Sequence, residues 1–215
     1  MPSGPVPSFP GIVGTIIPLT WHSHIFIHHP ERPGLLFPRA ILMRRRALFY
    51  MVNIMYRAML GKTREGSTAP PISAMDIRGE KFDTREHLNK NDLVIFFYRG
   101  HWCSTCGEEL KNLKREYDGI RKLGAEIVAI STDSPDEAKN LAVNLGLPFK
   151  VISDPDHRII DSYDVYDREN GTAFITLFIL DRTGTIRYKR IVEGPENMFS
   201  AEEIVDRLKD IREAA

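Results

Sequence analysis

Cysteine is scarce in this sequence, which contains only Cys103 and Cys106 among its 215 residues. Two cysteines cannot build the framework of several disulfides that holds small secreted proteins together. A pair in a Cys-x-x-Cys arrangement is instead typical of redox motifs in cytosolic proteins. We therefore expect a cytoplasmic protein in which these two thiols carry the chemistry.

Long apolar runs are also missing. No stretch of 18 uncharged apolar residues occurs, because Arg44–Arg46 and Arg57 interrupt the only candidate, so no transmembrane helix is predicted. The apolar stretch from Phe9 to Trp21 lacks the preceding basic residues of a secretory signal. The first 60 residues are rich in arginine and hold a single acid, Glu31, so a transit peptide is the alternative to a cytoplasmic location.

Nucleotide-binding motifs are absent as well. The sequence has neither a Gly-x-x-x-x-Gly-Lys phosphate loop nor a dinucleotide fingerprint. The acidic main part of the chain has no basic face with interleaved aromatic residues, which argues against a nucleic-acid partner. The sequence therefore predicts a protein that needs no bound cofactor.

Charge is balanced over the whole chain but divided unevenly along it. Residues 1–66 carry a net charge of +6 and residues 67–215 one of −6, which predicts a basic N-terminal extension followed by a single domain. An amphipathic helix is predicted at about residues 35–60, with a polar stripe that includes Arg46 and Arg57. Its broad apolar surface favours packing on the main domain or across a homodimer. The alternative is peripheral contact with a membrane.

Strand and helix patterns alternate after residue 71. The predicted strands are Ile72–Asp76, Leu93–Tyr98, Glu126–Ser131, Phe149–Ser153, Ala173–Leu180 and Ile186–Val192, and the predicted helices are Glu108–Leu123, one beginning with Ser134 as N-cap and Pro135 at its first position, and Glu202–Ile211. This order predicts an α/β sandwich with a central mixed sheet.

The cysteine pair stands where a predicted strand passes into a predicted helix. The free amides and the positive end of the helix dipole at such a junction stabilise a thiolate. A free thiol has a pKa of about 8.5, and such surroundings lower it. The position thus favours redox chemistry over core packing for Cys103 and Cys106.

These elements resemble the peroxiredoxin-like branch of the thioredoxin superfamily, of the alkyl hydroperoxide reductase/thiol-specific antioxidant type. The resemblance covers about residues 67–192. Its landmarks are Ala69-Pro70-Pro71 with Met75–Glu80, Phe96-Phe97-Tyr98, Ile130–Ser134, Leu147-Pro148-Phe149 through Asp154, and Phe178–Asp181 with Gly184. The resemblance implies a thioredoxin-like fold and a thiol-dependent antioxidant oxidoreductase.

The resemblance also implies roles for individual residues. Cys106 falls where peroxiredoxins have the cysteine that attacks peroxide, and Cys103 replaces a threonine of that motif. Arg99 replaces its proline, and Ile175 stands where a peroxide-binding arginine is expected. The sequence is therefore similar to a subgroup with Cys-x-x-Cys on a peroxiredoxin scaffold. We take Cys103, Cys106 and Arg99 as the candidate catalytic residues. Arg99 is either a cation near the thiolates that substitutes for the missing arginine, or a solvated arginine at the end of the strand.

Two enzyme mechanisms use the same cysteines. In a peroxidase, Cys106 attacks a hydroperoxide and Cys103 condenses with the resulting sulfenic acid. In a protein disulfide reductase, Cys103 attacks the substrate disulfide and Cys106 resolves the mixed disulfide. Both require an external thiol reductant. We expect hydroperoxide reduction, with disulfide reduction as the alternative.

Two further alternatives involve the N-terminal extension. A non-catalytic redox sensor or adaptor would bind a partner through this arm. A zinc site would combine both cysteines with two members of a histidine cluster, His22, His24, His28 and His29. Near the pair, His101 is either a proton donor or a loop residue, and Trp102 either shields the disulfide or simply packs.

Overall fold

A computed structural model describes residues 61–192, 194 and 197–213. The predicted helix at about residues 35–60, the histidine cluster and nearly all of the predicted extension lie outside these residues. The predicted homodimer and membrane contacts of that helix therefore stay predictions. Within the described part of the chain, no helix combines the length and apolar character needed to cross a bilayer.

The described residues form nine strands and five helices. The strands are β1 (Ser73–Met75), β2 (Lys81–Asp83), β3 (Asp92–Phe97), β4 (Ala125–Ser131), β5 (Lys150–Ser153), β6 (Tyr166–Asp167), β7 (Thr172–Ala173), β8 (Thr176–Leu180) and β9 (Ile186–Ile191), and the helices are α1 (Thr84–His87), α2 (Ser104–Lys122), α3 (Pro135–Leu145), α4 (Arg158–Ser162) and α5 (Ala201–Glu213).

A five-stranded sheet in the order β5-β4-β3-β8-β9 forms the centre of the fold. Strand β3 pairs in parallel with β4 and antiparallel with β8, and every one of its residues is buried. A strand covered on both faces needs a continuous apolar run, which Leu93–Phe97 supplies. The predicted α/β fold with a central mixed sheet is confirmed.

Side chains of β3 alternate between two hydrophobic clusters on opposite faces of this sheet. Val94 and Phe96 pack into the cluster that contains residues of α2, α3 and α5. Ile95 and Phe97 point into the cluster on the other face, with residues of the β1–β2 hairpin and α4. The strand is thereby fixed between two layers, and its carboxyl end holds the chain that leads to the cysteines.

Helix α3 begins as the sequence predicts. The hydroxyl of Ser134 accepts a hydrogen bond from the amide of Glu137, whose carboxylate accepts one from the amide of Ser134. Pro135 occupies the first helical position, where its missing N–H costs no intrahelical bond.

The predicted strand Ala173–Leu180 is two separate strands, β7 and β8. At the break, the amide of Phe174 donates to the carbonyl of Val165, and the carbonyl of Ile175 accepts from the amide of Val192. These bonds continue the β6–β7 pairing on one side and the β8–β9 pairing on the other, so the chain changes pairing partner between Phe174 and Ile175. Helix α2 also starts earlier than predicted, at Ser104 rather than Glu108.

Gly107 lies inside α2, directly after Cys106, and a β-carbon added there would meet nothing within 4 Å. Glycine in a helix loses more backbone entropy on folding than alanine. We expect Gly107→Ala to raise the free energy of unfolding by about 0.5–1 kcal/mol, measured by urea denaturation. Gly119→Ala on the same helix is the matched control and should give a similar gain. A loss of stability for Gly107→Ala alone would contradict this expectation.

Candidate redox site

Cys103 and Cys106 lie at the junction of β3 and α2 and are joined by a disulfide bond. Their Cα atoms are 5.3 Å apart, within the range usual for disulfides. Because the disulfide spans only the first turn of α2, the helix itself holds the two sulfurs in bonding distance. Both sulfurs are therefore engaged with each other, as the redox interpretation requires.

The two cysteine residues differ in exposure. Cys106 is 1% exposed, whereas Cys103 is 9% exposed and is the N-cap residue of α2. The amide of Cys106 donates a hydrogen bond to Sγ of Cys103 at 3.3 Å. An amide donor and the positive end of a helix dipole both favour negative charge on a sulfur at this position. Cys103 is thus the better placed of the two to exist as a thiolate and to meet a substrate.

A small cavity of about 160 Å³ opens beside Cys103. Its apolar wall includes Phe174 and Ile175, which the break between β7 and β8 brings to this position. Val192 and Met198 extend the same wall. The cavity offers room for a small substrate next to the more exposed sulfur.

Arg99 lines this cavity together with Cys103. Its guanidinium carbon lies 5.0 Å from the ring centroid of Trp102, a cation–π contact that holds the side chain. Ile175, the residue found where the family has an arginine, lines the same cavity. The structure therefore brings the predicted site residues Cys103, Cys106 and Arg99 together. Arg99 is the cationic residue of a cavity in which Ile175 supplies no charge.

Asp133, which follows β4, anchors the loop that leads to Cys103. Its Oδ1 accepts from the backbone amide of His101 at 3.0 Å and lies 2.9 Å from His101 Nδ1. Its Oδ2 accepts from the hydroxyl of Ser131 at 2.8 Å. The hydrogen bond to Asp133, followed by the charges of Asp133 and Glu137, raises the pKa of the exposed His101 imidazole. In the sequence Asp133 stands in a family landmark without a recognisable role, because only the fold brings it to His101.

Gly100 lies close to the side chains of Asp133 and Trp102. An added β-carbon would come within 2.8 Å of Asp133 Oδ1 and of Trp102 Nε1, and the residue has a φ of +150°. Residues other than glycine rarely adopt this φ. The path of the loop toward Cys103 therefore depends on glycine at position 100.

Glu109 is a buried acid one helical turn after Cys106. It is 6% exposed, and its Oε2 has no hydrogen-bond partner. Burial raises the pKa of this carboxyl group, although Asn112 donates to its other oxygen at 3.4 Å. Residues three apart on a helix are neighbours on one face. The spacing from Cys106 was visible in the sequence, but only the structure shows that the carboxyl group is buried.

A profile of the AhpC/TSA family matches residues 66–189, more than half of the chain. The chain belongs to the AhpC/TSA family. This confirms the predicted resemblance, and the enzyme is a peroxiredoxin-like thiol oxidoreductase with a Cys-x-x-Cys disulfide on a thioredoxin-like fold.

Similar proteins of known name support this assignment. Alkyl hydroperoxide reductase C of Bacillus subtilis is 30% identical over 138 residues, which span 60% of this chain and 72% of that protein. Chloroplastic peroxiredoxin Q of Sedum lineare is 27% identical over 150 residues, 69% of this chain and 77% of that protein. Thiol-disulfide oxidoreductase ResA of Bacillus subtilis is 30% identical over 123 residues, 57% of this chain and 64% of that protein.

Solved structures share the fold. AhpC of Enterococcus faecalis superimposes with a TM-score of 0.61 at 23% identity, covering 69% of this chain and 92% of that one. Peroxidoxin BcpB of Mycobacterium tuberculosis gives a TM-score of 0.62 at 20% identity, covering 69% of this chain and 97% of that one. The shared region is thus most of a peroxiredoxin domain.

Proposed function

We propose that this AhpC/TSA-family protein reduces hydroperoxides through Cys103 and Cys106 and is returned to its dithiol form by an external thiol. The observation that carries the proposal is a disulfide at a helix start beside a cavity that both Cys103 and Arg99 line. The names of the similar alkyl hydroperoxide reductase and peroxiredoxins support peroxide as the substrate.

The difference in exposure supports Cys103 as the sulfur that attacks peroxide. Its thiolate attacks one peroxide oxygen, the S–O bond forms and the O–O bond breaks, and the leaving alkoxide or hydroxide takes a proton from solvent. Cys103 is then a sulfenic acid. This order reverses the roles that the family alignment implies, in which Cys106 attacks first.

Cys106 closes the oxidative half of the cycle. Its thiolate attacks the sulfur of the Cys103 sulfenic acid, the S–S bond forms and hydroxide leaves as water after taking up a proton. The two sulfurs together supply the two electrons that reduce the peroxide. An external dithiol then attacks Cys103, the more exposed sulfur, and its own oxidation to a disulfide restores both thiols.

Arg99 is positioned to assist the first step. A guanidinium is always protonated and offers several N–H donors to an oxygen. On the wall beside Cys103, it binds a peroxide oxygen and stabilises the negative charge that develops as the O–O bond breaks. Its contact with the Trp102 ring limits its motion in the absence of substrate.

Glu109 provides a proton acceptor for Cys106. A buried thiol must ionise before it attacks sulfur, and solvent reaches Cys106 poorly. A carboxyl group with a raised pKa is a better base near neutrality than an exposed glutamate. We therefore assign Glu109 as the group that takes the Cys106 proton as the disulfide forms.

We expect Glu109→Gln to slow disulfide closure about 10²-fold while leaving sulfenic acid formation on Cys103 nearly unchanged. The measurement is a two-phase stopped-flow experiment on the reduced protein. Glu108→Gln, on the neighbouring exposed position of the same helix, is the matched control. Equal slowing of both phases would argue against a role limited to Cys106.

The same substitution has a distinct effect on stability. Because burial raises the pKa of Glu109 above its unfolded value, its favourable contribution is full below the unfolded pKa and is lost as the pH rises through the folded pKa. The free energy of unfolding of Glu109→Gln minus that of the native protein should therefore increase as the pH rises through this range. A difference that is constant with pH would contradict the raised pKa.

The proposed function is tested by mixing reduced protein with hydrogen peroxide or an organic hydroperoxide. Trp102 directly precedes Cys103 in the chain, so we expect its fluorescence to follow oxidation, with Trp102→Phe as the control for Trp21. We expect oxidation far faster than that of free cysteine, ending in the Cys103–Cys106 disulfide. Oxidation no faster than that of free cysteine would refute the peroxidase proposal.

Reduction of protein disulfides is the second candidate, favoured by the similarity to thiol-disulfide oxidoreductase ResA. In this route Cys103 attacks the substrate disulfide and Cys106 resolves the mixed disulfide. Rapid reduction of insulin disulfides together with slow oxidation by peroxide would move the assignment to this candidate.

A further inference from the structure

Three side chains with metal-binding atoms converge beside the redox loop. His101 comes from this loop, Asp133 follows β4, and Glu137 lies in the first turn of α3. His101 Nδ1 is 2.9 Å from Asp133 Oδ1 and 4.0 Å from Glu137 Oε1. One ligand atom from each residue lies within 4.8 Å of the other two. None of the three belongs to the proposed redox chemistry.

The two carboxylates are each held by the oxygen that faces away from the imidazole. Asp133 Oδ2 accepts from the hydroxyl of Ser131 at 2.8 Å. Glu137 Oε2 accepts from the amide of Ser134 at 2.9 Å and from its hydroxyl at 2.7 Å. Asp133 Oδ1, which also accepts from the backbone amide of His101, and Glu137 Oε1 are the oxygens that face His101 Nδ1. Hydrogen bonds that orient ligating carboxylates in this way are a regular feature of metal sites.

We propose that His101, Asp133 and Glu137 form a zinc-binding site. Zinc is bound by imidazole nitrogen at about 2.0–2.1 Å and by carboxylate oxygen at about 2.0–2.2 Å, usually with tetrahedral geometry. Two ligand atoms bound to one tetrahedral zinc ion at such distances are roughly 3.4 Å apart. This value lies between the distances from His101 Nδ1 to Asp133 Oδ1 and to Glu137 Oε1. Both separations from Nδ1 are therefore close to the value that zinc needs, and all three ligand atoms lie within 4.8 Å of one another.

The exposure of the three residues suits an exchangeable ion. The side chain of Asp133 is 4% exposed and forms the floor of the site, whereas those of His101 and Glu137 are 42% and 49% exposed. Solvent can thus deliver zinc and supply water as the fourth ligand. Zinc would replace the proton on Nδ1 and join the loop before Cys103 to the start of α3.

Elsewhere in the described part of the chain, a second histidine–aspartate pair has no third ligand close enough to complete a metal site. His157 Nδ1 lies 2.9 Å from Asp161 Oδ2, with exposures of 37% and 39%. The group near the other oxygen of Asp161 is the guanidinium of Arg168, at 3.7 Å, which repels a cation. His157 is therefore the matched control for His101.

The experiment is calorimetric titration of the full chain with zinc chloride, in protein purified without a tag and with the disulfide intact so that no thiolate competes. The variants are His101→Asn, Glu137→Gln and His157→Asn. Glu137→Gln keeps an oxygen for the Ser134 cap. Any zinc bound by the N-terminal histidines is common to all four proteins and cancels in the comparison. Circular dichroism checks that each variant is folded.

We expect the native protein and His157→Asn to bind zinc with the same affinity. His101→Asn should bind the zinc ion of this site at least about tenfold more weakly. Glu137→Gln should also weaken binding. Native affinity in His101→Asn, native affinity in Glu137→Gln, or no zinc binding by the native protein would each overturn the proposal. These outcomes do not depend on peroxide or disulfide turnover.

Discussion

Cys106→Ser is expected to react once with hydrogen peroxide and stop at a sulfenic acid on Cys103, whereas Cys103→Ser is expected not to react at an enzymatic rate. The reason is that Cys103 is the more exposed sulfur, caps α2 and shares a cavity with Arg99. We expect the oxidation rate of Cys103→Ser to fall by at least about three orders of magnitude, as for other enzymes that lose their nucleophile.

The measurement combines stopped-flow oxidation with trapping of sulfenic acid by a carbon nucleophile and mass spectrometry. The chain has no cysteine besides these two, so the double variant Cys103→Ser/Cys106→Ser is a thiol-free blank. A sulfenic acid found only on Cys106, in Cys103→Ser, would restore the roles implied by the family alignment. No rapid reaction in either single variant would remove peroxide as the substrate.

Gly100→Ala is expected to have the second largest effect. Its added methyl group would meet Asp133 Oδ1, which the fold holds in place, and the exposed ring of Trp102. Strain of this kind costs about 1–3 kcal/mol. We also expect peroxide oxidation to slow about 10²-fold, because a displacement of 1 Å in a reacting group has that consequence.

Gly171→Ala separates backbone strain from contact with Asp133. Gly171 also has a positive φ, +67°, but an added β-carbon there would meet nothing within 4 Å. This control should lose some stability and keep the oxidation rate of the native protein. Equal rates for Gly100→Ala and Gly171→Ala would show that the redox loop does not depend on its close packing against Asp133.

Local patterns in the sequence were sufficient for the centre of the fold. The run Leu93–Tyr98 predicts a strand, and Ser134-Pro135 predicts a helix start, because each pattern lies in neighbouring residues. The same holds for Cys103 and Cys106, which the first turn of one helix brings together.

Other parts of the site depend on residues distant in the chain. Phe174 and Ile175 continue a strand pattern in the sequence, and only the fold shows that the chain changes pairing partner there, from β6 to β3 and β9. Asp133 is 32 residues from His101, and no local pattern shows that they meet. Glu109 has helical spacing from Cys106, yet its importance lies in burial, which tertiary packing decides.

The early start of α2 has a consequence for turnover. Ser104 is already helical and the amide of Gly107 bonds to the carbonyl of Cys103 while the sulfurs are joined. Because the first turn of α2 is already formed in the disulfide state, we expect oxidation and reduction to alternate without unwinding this helix. A redox cycle confined to side chains would give proteases no locally opened backbone to cut.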